Sequence, residues 1–177
     1  MRDAILVVDF GTSNVRANAV SVEDGSILFA SKGRKYPIIS PVSGYTELDP
    51  ATVYQNAEDC VAELVEKCKG EINFKALTFS YIGDSLILVD KDGEPLYNLV
   101  LAFDPRATAE AAELNEIIPH EEVLDVVGPA VFAGAVCAKI LWFKKNMPDL
   151  FNKTAYFYTI QQFMNQKIGL EPINDVT

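Results

Sequence analysis

The stretch from residue 5 to residue 16, which reads ILVVDFGTSNVR, decides the fold of this chain. Its first four residues are apolar and mostly β-branched, a pattern typical of a central strand that is covered on both faces. Asp9 follows that run, and Phe10 and Gly11 lead into a turn rich in hydroxyl groups. The stretch therefore predicts a carboxylate at the tip of a buried strand, beside a tight polar turn.

The polar turn has two interpretations. Gly11, Thr12 and Ser13 offer backbone N–H groups and short hydroxyls, which suit an anion such as a phosphate. Asp9 can hold Mg²⁺ directly or through water, because that ion prefers oxygen ligands and keeps several waters. Arg16 adds a planar cation whose shape matches a phosphate. The alternative is an ordinary hairpin turn, in which the same residues only shape the backbone.

Residues 9–16 resemble the first phosphate loop of the FGGY carbohydrate kinases, whose usual form is Asp-x-Gly-Thr-Thr/Ser-x-x-Arg. These enzymes belong to the actin, hexokinase and Hsp70 superfamily. The resemblance therefore implies an α/β, ribonuclease-H-like domain, with a mixed sheet of three antiparallel and then parallel strands flanked by helices. It also implies ATP and Mg²⁺ as cofactors, catalytic roles for Asp9 and Arg16, and nucleotide binding by Gly11, Thr12 and Ser13. The whole superfamily shares this loop, so the loop leaves the substrate open.

Composition and charge narrow the class of protein. A length of 177 residues fits one domain that buries a real core. The formal net charge of -10, with no basic block to offset it, argues against a nucleic-acid partner. No apolar run approaches the ~20 residues that span a bilayer, and the N-terminus lacks a signal-peptide pattern. The three cysteines match no zinc motif and favour reduced thiols in the cytoplasm.

The first half of the chain predicts a sheet covered by one long helix. Alternating residues 15–22 and a returning strand over residues 27–36 form, with the first strand, a three-stranded antiparallel meander. Asp49 as N-cap and Pro50 as first helical residue open a helix that ends near residue 70. Residues 74–81 predict a fourth strand, which lies parallel in the sheet because it follows a helix.

A second block of the sequence predicts a hairpin followed by a helix. Its arms are residues 86–89 and 96–103, and Pro105 would open a helix over residues 107–116. This block resembles the FGGY pattern Leu-Leu-Asp-x-x-Gly-x-x-Leu, followed by Trp-x-Asp-x-Arg. The matching pieces here are Leu88, Val89, Asp90, Gly93, Leu96 and residues 102–106, which read AFDPR.

Two carboxylates in this block are candidate sugar contacts. Sugar hydroxyls are commonly held by carboxylates that accept their hydrogen bonds, which suits Asp84 and Asp104. Each has an alternative, because Asp84 can form a turn after Gly83 and Asp104 can cap the helix before Pro105. Residues 82–84 read IGD where xylulose kinases carry Gln-Met-His, and this departure argues against an ordinary xylulokinase.

A third block predicts helices over residues 121–127, 135–146 and 160–168. It resembles the family segment Gly…Lys…Trp…Pro, matched by Gly128, Lys139, Trp142 and Pro148. We expect Trp142 to be a core or domain-contact aromatic, with Lys139 solvated beside it.

Gly134 is the third candidate sugar residue. It stands near the position where an aromatic residue of glycerol kinases contacts the polyol. A small residue there would leave a larger cavity, suited to a sugar bulkier than glycerol.

The resemblance covers nearly the whole chain but only the first part of the family. It implies an N-terminal fragment of an ATP-dependent kinase for a sugar or polyol hydroxyl, without the C-terminal nucleotide-binding domain and the proton-accepting Asp. We expect such a fragment to be inactive alone, since phosphoryl transfer needs positioning and charge stabilisation from both sides of the phosphate. A homodimer of the parent protein is left open. The alternatives are a non-catalytic actin-like domain, regulatory or filament-forming, and a phosphatase or acyl-phosphate kinase on the same fold.

Overall fold

The structure, a computed structural model, describes residues 1–118, 121 and 130–174. The helix predicted over residues 121–127 lies outside the described residues beyond its first position. The chain divides into two compact units, Met1–Ile38 with Asp49–Ile82 and Ile39–Leu48 with Gly83–Thr177. Within the described ranges, no helix is long and apolar enough to cross a membrane.

The described strands and helices alternate along the chain. The strands are β1 (Arg2–Phe10), β2 (Asn14–Ser21), β3 (Ile27–Ala30), β4 (Arg34–Lys35), β5 (Glu47–Leu48), β6 (Ile72–Ser80), β7 (Ile87–Val89), β8 (Leu99–Val100) and β9 (Tyr156–Tyr158). The helices are α1 (Pro50–Lys67), α2 (Thr108–Ile117), α3 (Val136–Asn146), α4 (Pro148–Lys153) and α5 (Ile160–Lys167).

The first unit is built on a mixed sheet with the strand order β3, β2, β1, β6, and β4 pairs with another part of β2. Strand β1 runs antiparallel to β2 and parallel to β6, so it is an interior strand. The central position of β1, the antiparallel meander and the parallel fourth strand are confirmed, but Ile5, Leu6 and Val7 are half-buried, so the prediction of a strand buried on both faces is wrong. Asp9 lies at the end of β1 and is exposed, as the sequence predicts.

The predicted returning strand is interrupted between β3 and β4. There the backbone N–H of Ala17 donates to the hydroxyl of Ser31 at 3.0 Å, while the N–H of Ser31 donates to the carbonyl of Ala17. A side chain thus takes a ladder position that a strand carbonyl would otherwise fill. The prediction of one continuous strand over residues 27–36 is wrong for this reason.

Helix α1 begins and packs as its sequence dictates. The carboxylate of Asp49 accepts hydrogen bonds from the backbone N–H groups of Ala51 and Thr52, both at 3.2 Å, and Pro50 is the first helical residue. Its apolar face packs on β2. The buried members of that face are Val53, Ala57, Cys60 and Leu64.

The second unit pairs its strands differently from the prediction. Strand β7 pairs with β9, and β8 pairs with β5, both antiparallel. The two arms of the predicted hairpin meet at the isolated bridges Leu86–Val100 and Val89–Pro95. The predicted hairpin is confirmed in part. Leu86 and Val100 exchange two backbone hydrogen bonds, and the N–H of Leu96 donates to the carbonyl of Leu88, but no continuous ladder joins the arms, and each also pairs with a strand distant in sequence.

The apolar core of the second unit fixes helix α3. Leu86, Leu88, Val100 and Phe143 are fully buried together, so α3 is anchored through Phe143 against both arms. Helix α5 is closed at its start by a capping box between Thr159 and Gln162. Its apolar residues Ile160, Phe163 and Met164 are buried.

Candidate functional site

The predicted phosphate loop is the tight turn between β1 and β2 in the first unit. The N–H of Gly11 donates to the carbonyl of Asn14 at 2.9 Å and closes the turn. Thr12 and Ser13 are exposed at its tip. The turn therefore presents short hydroxyls and backbone to solvent, where an anion can reach them.

Asp9 and Arg16 lie directly opposite each other on β1 and β2. Residues opposite in an antiparallel pair project from the same face of the sheet, and both of these side chains are exposed. A Cβ added at Gly33 would lie 3.4 Å from a terminal nitrogen of Arg16, so the guanidinium rests over this glycine. The fold thus brings together a carboxylate, a turn with exposed hydroxyls and a cation.

The fit to Mg²⁺ rests on one carboxylate. Among the described residues, no group of three or more His, Cys, Asp or Glu side chains could enclose a metal ion. Mg²⁺ is often held by one or two carboxylates, with waters and substrate phosphates completing its shell. Asp9, exposed beside the turn, fits that mode of binding and does not fit an all-protein cage.

Tyr36 joins this region without any signal in the loop sequence. Its backbone N–H donates to the carbonyl of Ser13 at 3.1 Å, and its side chain is buried. Its hydroxyl has no hydrogen-bond partner in the part of the chain that the structure describes. Burial raises the pKa of Tyr36 well above its usual range, and the negative charge of Asp9 adds to this effect. The ring therefore stays neutral beside the loop.

The second unit contains a buried ion pair between Asp104 and Arg106. The guanidinium donates from Nε to Oδ1 of Asp104 at 2.8 Å and from a terminal nitrogen to Oδ2 at 2.9 Å. The same terminal nitrogen donates to Oε1 of Glu47 at 2.6 Å. All three side chains are fully buried, so this network belongs to the core.

Asp104 is not the N-cap of helix α2, which was the alternative to its role as a sugar contact. Helix α2 begins at Thr108, and its N-cap is Ala107, which makes no side-chain hydrogen bond. Besides Arg106, Asp104 accepts the backbone N–H of Thr46 at 2.6 Å. Burial alone would raise the pKa of Asp104, but the hydrogen bonds from Arg106 and Thr46 outweigh it and hold the pKa below its ordinary value.

Aromatic rings surround the guanidinium of Arg106. Its central carbon lies 4.2 Å from the ring centroid of Tyr45 and 5.1 Å from that of Trp142. The hydroxyl of Tyr97 donates to Glu47 at 2.9 Å. These contacts add cation–π attraction to the ion pairs that already orient the guanidinium.

Lys139 is buried, and the prediction that it is solvated is wrong. Its side chain lies on α3 with 0% of its surface exposed. The ammonium donates to the backbone carbonyls of Asp84 and Leu101, the latter at 3.3 Å. Burial lowers the pKa of Lys139 to about 8, although the negative charges of Asp84 and Asp104 raise it.

Asp84 is exposed and lies in an unusual backbone conformation. Its φ of 49° makes it the one described residue other than glycine with a positive φ. Aspartate tolerates this left-handed region better than most residues, but glycine enters it more readily. The turn-forming role and an exposed carboxylate therefore coexist at this position.

Gly134 is a packing requirement. A Cβ at this position would overlap the carbonyl oxygen of Ala102. The space that a side chain would occupy is filled by backbone, so the expectation of a larger cavity at Gly134 is wrong.

Residues 4–177 match the family model described as "FGGY family of carbohydrate kinases, N-terminal domain". The chain belongs to the FGGY family of carbohydrate kinases. It is 30% identical over 154 residues to the xylulose kinase of Bacillus subtilis (strain 168), which covers 86% of this chain and 30% of that protein. It is 26% identical over 176 residues to the L-fuculokinase of Salmonella typhi, covering 99% of this chain and 37% of that protein.

The fold agrees with solved sugar kinases. The crystal structure of xylulose kinase from Rhodospirillum rubrum superposes with a TM-score of 0.85 at 25% identity, over 91% of this FGGY chain and 33% of that chain. The predicted α/β architecture of the actin-like superfamily is thus confirmed. The chain spans about a third of the length of the curated relatives that it matches.

Within the second unit of this FGGY chain, the three predicted sugar residues converge on one segment. Lys139 joins the carbonyl of Asp84 to that of Leu101, and Gly134 packs on the next residue, Ala102. Asp104 follows two residues later, but it is 1% exposed, and both its oxygens are hydrogen-bonded inside the protein. Of the two predicted carboxylates, only Asp84 is thus exposed.

Sequence reasoning missed the buried partners of this segment. Arg106 ends the AFDPR stretch already noted, and Glu47 lies two residues before the Asp49-Pro50 start of α1. Lys139 lies at a matched family position as well. Nothing in their spacing indicates burial, because charged side chains are mostly exposed.

Proposed function

We propose that this chain is the N-terminal part of an ATP-dependent kinase that phosphorylates a hydroxyl group of a sugar or polyol. The observation that carries the proposal is the Asp9–Arg16 loop, exposed at the end of an interior strand in a chain of the FGGY family. A hairpin turn without function needs neither the opposed carboxylate and cation nor exposed hydroxyls between them.

In this proposal the loop binds the phosphates of ATP. Gly11, Thr12 and Ser13 donate hydrogen bonds to phosphate oxygens, and Arg16 adds positive charge beside them. Asp9 holds Mg²⁺ directly or through water. When bound, Mg²⁺ offsets the negative charge of the phosphates.

The sugar site is proposed around Asp84 in the second unit. Its exposed carboxylate accepts hydrogen bonds from sugar hydroxyls. Asp104 acts indirectly, through the ion pair that holds the 101–106 segment in place. Gly134 contributes by letting the backbone before α3 approach Ala102 closely.

We propose that catalysis needs more chain than these 177 residues. The matched relatives are about three times as long, since this chain covers 30% and 37% of them. The proton-accepting Asp and the adenosine pocket would come from that further length. A one-sided site leaves a sugar largely hydrated, so binding by this chain alone is weak.

The cysteines and the net charge support the proposal of a cytoplasmic protein without a nucleic-acid partner. Cys60, Cys68 and Cys137 are free cysteines, as expected of a cytoplasmic protein. The net charge of -10 offers no attraction to nucleic acid.

Calorimetry with xylulose, ribulose, gluconate and glycerol tests the sugar site on the purified chain, and an ADP-release assay tests catalysis. We expect weak binding of one sugar, weaker but still measurable binding in Asp84→Asn, and no ADP release. The matched control is Asp92→Asn, another exposed aspartate in a loop of the same unit. Equal binding by Asp84→Asn and the unaltered chain would remove Asp84 from the site, and steady phosphorylation would disprove the need for further chain.

A further inference from the structure

We propose that Lys139 is a positioning residue that holds the Asp84 carboxylate in place for the sugar. This inference rests on the proposed function, since it takes Asp84 as the sugar contact. It assigns to a buried lysine a task that neither the loop nor the ion pair performs.

The turn at Gly83 and Asp84 does not fix its own backbone conformation and needs a contact from another part of the chain. Asp84 has a φ of 49°, a left-handed conformation that is unfavourable for a residue with a side chain relative to ordinary helical backbone. The preceding Gly83 is exposed, and a Cβ added there would meet nothing within 4 Å. Packing around Gly83 therefore does not fix this turn, and a glycine next to Asp84 allows the backbone other conformations.

Lys139 supplies that support from helix α3. Its ammonium donates to the carbonyl oxygen of Asp84 itself and to the carbonyl of Leu101, just after β8. One turn along the same helix, Phe143 is fully buried in the apolar core with Leu86. Because the helix is anchored there, the ammonium is fixed, and the hydrogen bond fixes the peptide that follows the Asp84 side chain.

A charged donor suits this task better than a neutral one. Hydrogen bonds from an ionised donor are about twice as strong as those between neutral groups. The buried carboxylates of Glu47 and Asp104 are balanced by Arg106 and Lys139. A purely structural role for Lys139 would be this charge balance alone, and it would not act through Asp84.

Lys139→Met tests the positioning role, because methionine keeps the length of the side chain and removes its donors. The exposed Lys144 on the same helix provides the control Lys144→Met. In Lys139→Met we expect the backbone carbon chemical shifts of Asp84 to change from those typical of a left-handed conformation. We also expect the sugar affinity to fall roughly 10- to 100-fold. In the control both should stay at the values of the unaltered chain. Unchanged Asp84 shifts in Lys139→Met would overturn the proposal.

A double-mutant cycle separates positioning from charge balance. Asp84→Gly keeps the positive φ available and removes the carboxylate. If Lys139 acts through Asp84, adding Lys139→Met to Asp84→Gly should change the residual sugar affinity by less than about twofold. The same large loss in both backgrounds would show that Lys139 acts elsewhere.

The unaltered chain provides a test that does not depend on a variant folding. NMR through-hydrogen-bond coupling between the Lys139 Nζ and the Asp84 carbonyl carbon should be observed, and its absence would contradict the proposal. Sugar binding is read separately. If Asp84 changes conformation in Lys139→Met but no sugar binds to any form, then Lys139 does fix the Asp84 backbone, and the proposed sugar site is wrong.

Discussion

Arg106 donates hydrogen bonds to both carboxylate oxygens of Asp104, at 2.8 and 2.9 Å. The two residues are only two positions apart in sequence, and both side chains are fully buried. The same guanidinium reaches Glu47, which lies on β5. The bend at Pro105 thus points the two charged side chains at one another. A local pair of charges becomes the anchor that joins the loop after β8 to a strand distant in sequence.

Replacing Arg106 by methionine should destabilise the chain strongly. Asp104 and Glu47 would then be buried without their partner, and removing one member of a buried pair costs about 3–5 kcal/mol. The free energy of unfolding from urea denaturation measures this loss. Lys69→Met removes an exposed pair with Glu66 and should change stability by less than about 1 kcal/mol. Similar small losses in both variants would mean that the Arg106 network contributes nothing special.

The pH dependence of stability should report Lys139. Its pKa is about 8 when folded, against an ordinary value of 10.5. Between these values the unfolded chain binds the proton and the folded chain does not, so unfolding becomes less favourable as pH rises. The free energy of unfolding of the unaltered chain minus that of Lys139→Met should therefore increase from pH 8 to pH 10, by on the order of 1–3 kcal/mol. Lys144→Met should show no such trend, and a flat difference for Lys139→Met would contradict the burial of its charge.

Gly134→Ala should destabilise the second unit. The added Cβ would overlap the carbonyl oxygen of Ala102, and relieving such an overlap typically costs about 1–3 kcal/mol. Gly83→Ala is the matched control, since a Cβ there meets nothing and the φ is not left-handed. We expect that variant to be unchanged or slightly more stable, because alanine restricts the unfolded chain. Thermal unfolding compares the two, and equal melting temperatures would remove the packing argument.

Asp9→Asn should abolish turnover and leave sugar binding nearly intact in the kinase of which we propose this chain is the N-terminal part. In the proposed function the Asp9 carboxylate serves the metal and the nucleotide, while Asp84 contacts the sugar. Asp3→Asn, at the exposed start of the same strand, is the control and should keep full turnover. Steady-state kinetics and sugar calorimetry measure the two effects, and full turnover in Asp9→Asn would take Asp9 out of the mechanism.

The sequence by itself determined the parts of this protein whose signals are local. The apolar run before Asp9 predicted an interior strand, and it pairs on both sides as β1. Asp49 and Pro50 predicted the start of α1 to the residue. Such signals lie within a few neighbouring positions, because an apolar run marks a central strand and a cap residue marks a helix start.

Only the tertiary structure decided the remaining pairings and the fate of the charged residues. The arms of the predicted hairpin meet at isolated bridges and also pair with β5 and β9, since a short apolar strand does not specify its partner. The sequence predicted Asp104 as a sugar contact, with a helix cap as the alternative, and Lys139 as a solvated side chain, yet both are buried. A charge enters the core only where partners compensate the loss of water. Asp104 has Arg106 two positions away in sequence, but the fold brings Glu47 to Arg106 and the carbonyls of Asp84 and Leu101 to Lys139.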